Sequence, residues 1–216
     1  MQLVSLNVGL PREVDFQGKK VLTGIFKSPV NKRLKISFLN IEGDKQADLS
    51  VHGGRDKAVY AYASEYYEFW KSEFPGKDLP FGMFGENLTI SGGLFETEIK
   101  IGDIFSLGTS ELMAVQPRIP CFKLGIRFGD PSIIKKFMKA GKSGVYFRVL
   151  KEGETGPNDT LEKIKESPFN VSVYDVFTLF DKNHGNKELL EKVIEADDLA
   201  DNLKSYFKQV LGKLKK

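Results

Sequence analysis

Over roughly the first 165 residues apolar and polar positions change over in short runs, and beyond them the spacing lengthens to that of helices. The runs LVSLNV, KKVLTGIF, RLKISFLN, ENLTI, EIKIGDIFSL, ELMAVQ and GVYFRVL read as strands, several with a period of two. Seven or more short strands without regular strand–helix alternation predict a mainly β fold whose sheet closes, or nearly closes, into a barrel. A few short helices interrupt it. SEYYEFWKSEF sets Tyr66, Phe69 and Trp70 on one face and stops at Pro75-Gly76, and CFKLGIRF reads as a short helix. DPSIIKKFMKAG carries its own bounds, with Asp130 as N-cap, Pro131 at the first helical position and Gly141 just past the end.

The pattern changes after KESPFN, residues 165–170, so the predicted organisation is a β-barrel domain over 1–165 and a three-helix domain over 169–216. SVYDVFTLF opens with Ser172 and Asp175 in capping-box positions. NKELLEKVIEA follows His184-Gly185, and DDLADNLKSYFKQVL lines up Leu199, Leu203, Tyr206, Phe207 and Val210. Each helix is too short to stand alone in water, so they must pack on one another or on the sheet.

Composition narrows the function. With 41% hydrophobic and 28% charged residues the chain is ordinary globular protein, and no apolar run reaches the roughly 20 residues of a membrane span. MQLVSLNVGLPREV lacks the basic and apolar regions of an export signal, which predicts a cytoplasmic protein with no membrane partner. One cysteine and two histidines, His52 and His184, exclude an internal disulfide, an iron–sulfur cluster and a Cys/His zinc site. The net charge of +3 falls partly in the terminal KQVLGKLKK, and no basic, aromatic-studded sheet motif calls for nucleic acid. Apolar surface on the helical tail would allow a homodimer.

Four stretches carry candidate chemistry. In QADLSVHGGRDKAVYAY, Gly53-Gly54 would let backbone approach a ligand among His52, Arg55, Asp56 and Lys57, although such a pair is also ordinary turn punctuation. PFGMFGENLTISGG holds Glu86 and Asn87 between glycines, either as a long connection or as substrate orienters. In QPRIPCFKL, Cys121 lies between Arg118 and Lys123 at the start of a short helix, surroundings that favour a thiolate; a lone cysteine is also commonly a small buried hydrophobe. Arg148, on GVYFRVL, has the planar fork that suits phosphate, or is simply a paired surface cation.

TGIFKSPV (23–30), GDKQADLSVHGGRDKAVYAY (43–62), FGENLT (84–89), IGDIF (101–105) and QPRIPCFKL (116–124), in this order, resemble the MOSC domain, named for the C-terminal domain of molybdenum-cofactor sulfurases. The resemblance is closest to the stand-alone bacterial YiiM-type members, which append a three-helix domain. It implies a barrel whose pocket binds a molybdenum–pterin cofactor, with Cys121 as the thiolate ligand to molybdenum, a soft donor suited to that metal. Arg55, Lys57, Arg118, Lys123 and Arg148 become candidates for the cofactor phosphate, Gly53-Gly54 for close backbone approach, and Thr23 and Lys27 for the same site. The implied activity is reduction of N-hydroxylated compounds, hydroxylaminopurines among them, to amines: R–NHOH + 2e⁻ + 2H⁺ → R–NH2 + H2O. His52 or Asp56 would supply a proton, and Glu86 and Asn87 would orient substrate. With no cysteine cluster and no GxGxxG, electrons would come from a separate flavin or iron–sulfur protein. Where many members carry tryptophan before Tyr146, this chain has Val145, a change expected in the pocket wall.

Two other readings stay open on the residues alone. One is a hydrolase or transferase with Cys121 as nucleophile and His52 as its base. The other is a non-catalytic carrier of the molybdenum cofactor or of sulfur.

Overall fold

The computed structural model describes residues 1–47 and 53–215. Twelve strands lie among them: β1 (Gln2–Val8), β2 (Arg12–Phe16), β3 (Lys19–Thr23), β4 (Ser28–Val30), β5 (Leu34–Ile36), β6 (Val59–Ala63), β7 (Leu88–Ser91), β8 (Ile104–Leu107), β9 (Ser110–Pro117), β10 (Val145–Lys151), β11 (Gly153–Thr155) and β12 (Leu161–Lys165). Six α-helices join them: α1 (Tyr66–Glu73), α2 (Phe122–Phe128), α3 (Ser132–Ala140), α4 (Val173–Thr178), α5 (Lys187–Glu195) and α6 (Asp201–Leu214). Among the described residues no helix is long and apolar enough to cross a membrane.

Eight strands share one sheet in the order β12-β8-β9-β10-β6-β7-β1-β4, antiparallel except for the parallel β6–β7 pair. β2–β3 is a separate hairpin, and β5 pairs with β11. Among the described residues the ladders do not form a closed barrel. β4 takes the outer edge of β1 from Leu6 to Val8, leaving only the first residues of β1 to meet the far edge of the sheet. That meeting is a single bridge, Gln2 with Thr160, flanked by Leu3 N–H to Asp159 O at 2.9 Å and Leu161 N–H to Met1 O at 2.9 Å. The architecture is a sheet-dominated mixed fold carrying helices.

β6, VYAYA, is buried along its whole length. A strand covered on both faces shows no alternation, so the periodicity that marks β1 does not mark β6. Its Tyr62 anchors an aromatic core: the ring stacks on Phe84 at 4.6 Å and the hydroxyl accepts a hydrogen bond from Trp70 Nε1 at 2.7 Å, while Trp70 stacks on Phe137 of α3 at 6.0 Å. These rings tie α1, α3 and the 80–87 loop to β6 and so set the position of the chain around residue 120.

The helical tail follows its local signals. Both bonds of the Ser172/Asp175 capping box form, each at 3.0 Å, and Asn186 caps α5 through Leu189 N–H at 3.0 Å. The tail docks on the sheet through Val173 N–H to Ile99 O at 2.8 Å and Ala200 N–H to Val115 O at 3.2 Å. Phe177, Leu190 and Phe207 belong to the same apolar cluster as the sheet. Docking beside β9 brings Phe180 and the start of α6 next to the turn from β9 into α2.

Candidate functional site

That turn opens a cavity of about 350 Å3. It is lined by Thr23–Ile25 and Lys27, by Lys45–Ala47, by Lys57 and Tyr60, by Gly85 and Asn87, by Gln116–Cys121 with Lys123, by Tyr146, and by Phe180, Asn202 and Leu203 of the tail. The prolines 117 and 120 lack the N–H a ladder needs, so the chain leaves the sheet here and crosses the cavity as coil. Cys121 has extended backbone at the N-cap of α2, which closes at Gly129 in the left-handed conformation, φ 61°.

Five cations, Lys27, Lys45, Lys57, Arg118 and Lys123, line the cavity, and no carboxylate does among the described residues. Arg118 is 6% exposed. Its Nη1 donates to the Phe84 carbonyl, and its guanidinium lies 5.1 Å from the Tyr60 ring centre and 5.8 Å from that of Phe137. No described carboxylate is within ion-pair distance of it. Burial pulls its pKa down, but Tyr60, Tyr146 and Cys121 outweigh burial and hold it above the ordinary value, so the charge stays. A buried cation without a counter-charge is costly, and a bound anion removes the cost.

Lys27, 8% exposed, is treated differently: its Nζ bonds to Asp44, which also accepts from Asn87 Nδ2 and Gly9 N–H, both at 3.0 Å. Burial still lowers the Lys27 pKa, against the pull of Asp44. Burial also lowers that of Lys57, while Cys121 and Asp56 act in the opposite sense. Cys121 thus interacts electrostatically with both Lys57 and Arg118. The Tyr60 hydroxyl donates to Ser143 O at 2.8 Å, its ring lies 4.9 Å from that of Tyr146, and burial raises the pKa of both phenols.

Of the residues singled out from sequence, Thr23, Lys27, Lys57, Asn87, Arg118, Cys121 and Lys123 converge on this cavity. Gly53, Gly54, Arg55, Asp56, Glu86 and Arg148 do not line it. Arg148 is paired within the fold, its Nε and Nη2 both bonding to Asp56 Oδ1 at 2.7 Å. The same pair occupies Asp56, whose carbonyl also accepts from Gln116 Nε2 at 2.7 Å. Gly54, at φ 87°, opens the 3-10 turn Arg55–Lys57 that delivers Lys57 to the cavity, while Arg55 points to solvent. Glu86 is wholly buried and accepts from Gly82 N–H at 2.8 Å, Phe84 N–H at 3.1 Å, Thr89 Oγ1 at 3.0 Å and the Tyr67 hydroxyl. These bonds tie the 80–87 loop together; burial raises the pKa of Glu86, against them. Val145 is buried in the core, and its neighbour Tyr146 forms the wall, so the departure at 145 does not touch the cavity. His52 lies outside the described residues.

Sequence reasoning passed over Tyr60, Gln116, Tyr146, Lys45, Phe180, Asn202 and Leu203. The first four sit inside or beside the quoted stretches and were legible as neighbours. The last three come from the tail and carry no local signal at all.

A sheet-dominated fold with a cation-lined cavity built around one cysteine is the class that structure and site define. The chain belongs to the MOSC domain family, which its residues 48–162 match and which is associated with the molybdenum cofactor. It is 38% identical over 205 residues to the uncharacterized protein YflK of Bacillus subtilis, covering 95% of this chain and 92% of YflK. A fungal protein of Gibberella moniliformis named "Reductase" is 36% identical over 74% of this chain, which spans 28% of that longer protein. The crystal structure of YiiM from Geobacillus stearothermophilus superposes with a TM-score of 0.82 at 30% identity, covering 97% of this chain and 98% of that one.

Proposed function

We propose that the chain binds a molybdenum–pterin cofactor in this cavity and reduces N-hydroxylated compounds to amines, drawing electrons from a separate flavin or iron–sulfur protein. The observation that carries the reading is Arg118: a buried, charged guanidinium with no carboxylate partner among the described residues, facing a cavity of five cations beside the one cysteine. That donor set fits the group, since its phosphate needs cations and its metal takes a soft thiolate. When bound, the cofactor supplies the two-electron reduction of the N–O bond.

The chain's own residues do the rest. Arg118, Lys57 and Lys123 hold the phosphate, Cys121 ligates the metal, Gln116 turns its amide oxygen to neutral polar groups while its Nε2 bonds to Asp56 O, and Lys27 and Asn87, bonded to Asp44, support the wall. Asp56 and Arg148 brace the turn that carries Lys57. His52 is assigned the proton for the leaving water, because imidazole as a class exchanges protons near neutral pH.

The test is molybdenum and pterin per chain in protein purified from cells that make the cofactor, beside Cys121→Ala. Near one molybdenum per chain, lost in the variant, supports the reading. Molybdenum in neither protein sinks it, and stoichiometric molybdenum without reduction of N-hydroxylated compounds makes the chain a carrier.

A further inference from the structure

The lining of the cavity has two origins in the chain, which differ in chemistry. Its cations and Cys121 all come from residues 27–123, whereas the lining contributed by the tail is Phe180, Asn202 and Leu203. None of these three is charged, so they do not serve the anion that Arg118 calls for.

Phe180 is held in a fixed orientation. Its ring lies parallel to that of Tyr206, 5.5 Å between centres and 5° between planes, and 5.3 Å from that of Phe207, a core residue 1% exposed. Its N–H bonds to Phe177 O at 3.0 Å, which fixes the backbone as well. Leu203, 8% exposed, adds apolar wall, and the neighbouring Asn202 presents an exposed amide that both donates and accepts. A rigid ring beside an apolar wall and a two-way hydrogen-bonding group is suited to a flat unsaturated ring bearing polar atoms, because stacking rewards flatness and the amide reads the ring edge.

We infer that the helical tail is the specificity wall of the site, with Phe180 stacking on, and Asn202 hydrogen-bonding to, an aromatic ring that carries the hydroxyamino group. This rests on the reductase reading. Phe180 and Asn202 are specificity determinants here and take no part in electron or proton transfer.

The experiment compares 3-(hydroxyamino)pyridine with N-cyclohexylhydroxylamine, similar in size and different in flatness and in the ring nitrogen that Asn202 can bond. Binding is measured calorimetrically on the full chain without reductant, and turnover separately with reduced methyl viologen. Wild type is expected to favour the pyridyl compound. Phe180→Leu, which keeps apolar volume, cuts that preference roughly fivefold, and Asn202→Ala cuts it about threefold. Both keep molybdenum per chain, and neither changes binding of the cyclohexyl compound. Asn202 is exposed, so its variant folds even where Phe180→Leu loosens the tail. A pyridyl preference unchanged in Asn202→Ala and in folded Phe180→Leu overturns the inference and leaves the reductase reading standing. Preferential binding that the variants lose, with no turnover by any of the proteins, upholds the inference and sinks the reductase reading instead.

Discussion

The flank of the cavity around Lys27 and the flank around Arg118 bury a cation equally well, at 8% and 6% exposure, and handle the charge in opposite ways. Lys27 sits in a closed network with Asp44 and Asn87, and its charge is balanced within the fold. Arg118 meets a carbonyl and two aromatic rings, which orient the guanidinium without neutralising it. Arg148, paired with Asp56 behind the cavity, follows the first pattern. A buried charge balanced by the fold is architecture, and one left unbalanced beside a cavity is a receptor for an anion. Counting positive residues in the sequence does not separate the two kinds; their neighbours do.

The sharpest way to break this contrast is Asp44→Asn, which strands Lys27. Removing one member of a buried pair costs about 3 kcal/mol, or roughly 6–12 °C in the thermal midpoint of a chain this size, read by calorimetry on cofactor-free protein. A shift under about 2 °C would show that Lys27 does not depend on its partner.

Arg118→Met tests the other flank and should act on loading instead of folding. Molybdenum per chain falls about tenfold or more with the loss of a charge-assisted contact, while the cofactor-free midpoint holds or rises because an unbalanced charge has been removed. Loss of stability comparable with that of Asp44→Asn would mean that Arg118 is structural after all.

Arg148→Met should lower stability by about 1 kcal/mol and leave molybdenum content near wild type, since its partner Asp56 is partly hydrated. A loading defect as large as that of Arg118→Met would return Arg148 to the cofactor.

The smallest effect is in pH. Burial lowers the Lys27 pKa from the ordinary 10.5, so between the lowered value and 10.5 the unfolded chain binds a proton that the folded chain has released. Stability of the wild type relative to Lys27→Met therefore rises with pH across that window and is flat below it. Chemical unfolding of both proteins at about pH 8 and about pH 10 reads the difference; a relative fall in wild-type stability would show that Asp44 outweighs desolvation.

Much of the fold was legible because its signals are local. The alternation in LVSLNV, the Ser172/Asp175 capping box, and Pro131 and Gly141 at the ends of α3 each work through neighbours a few residues away. β6 was hidden for the opposite reason, since burial on both faces erases the period that reveals a strand. Within the site, Cys121, Arg118 and Lys57 stood out by residue type and motif, whereas nothing local decided between the two readings of Arg148 and of Glu86, each of which bonds within the fold. An arginine on a strand looks the same in sequence whether it faces a ligand or an aspartate 92 positions away.

By itself, then, the sequence determined the class of elements, the start of the helical tail and the cysteine at the centre of the motifs, because those depend on short-range propensity and on recognisable runs of residues. Tertiary structure decided whether the sheet closed, which cations were balanced, and that Phe180 and Leu203 line the same cavity as Cys121's segment. Each of those outcomes is a contact between distant parts of the chain, and the energy of a buried charge or an edge hydrogen bond belongs to the pair and to neither residue alone.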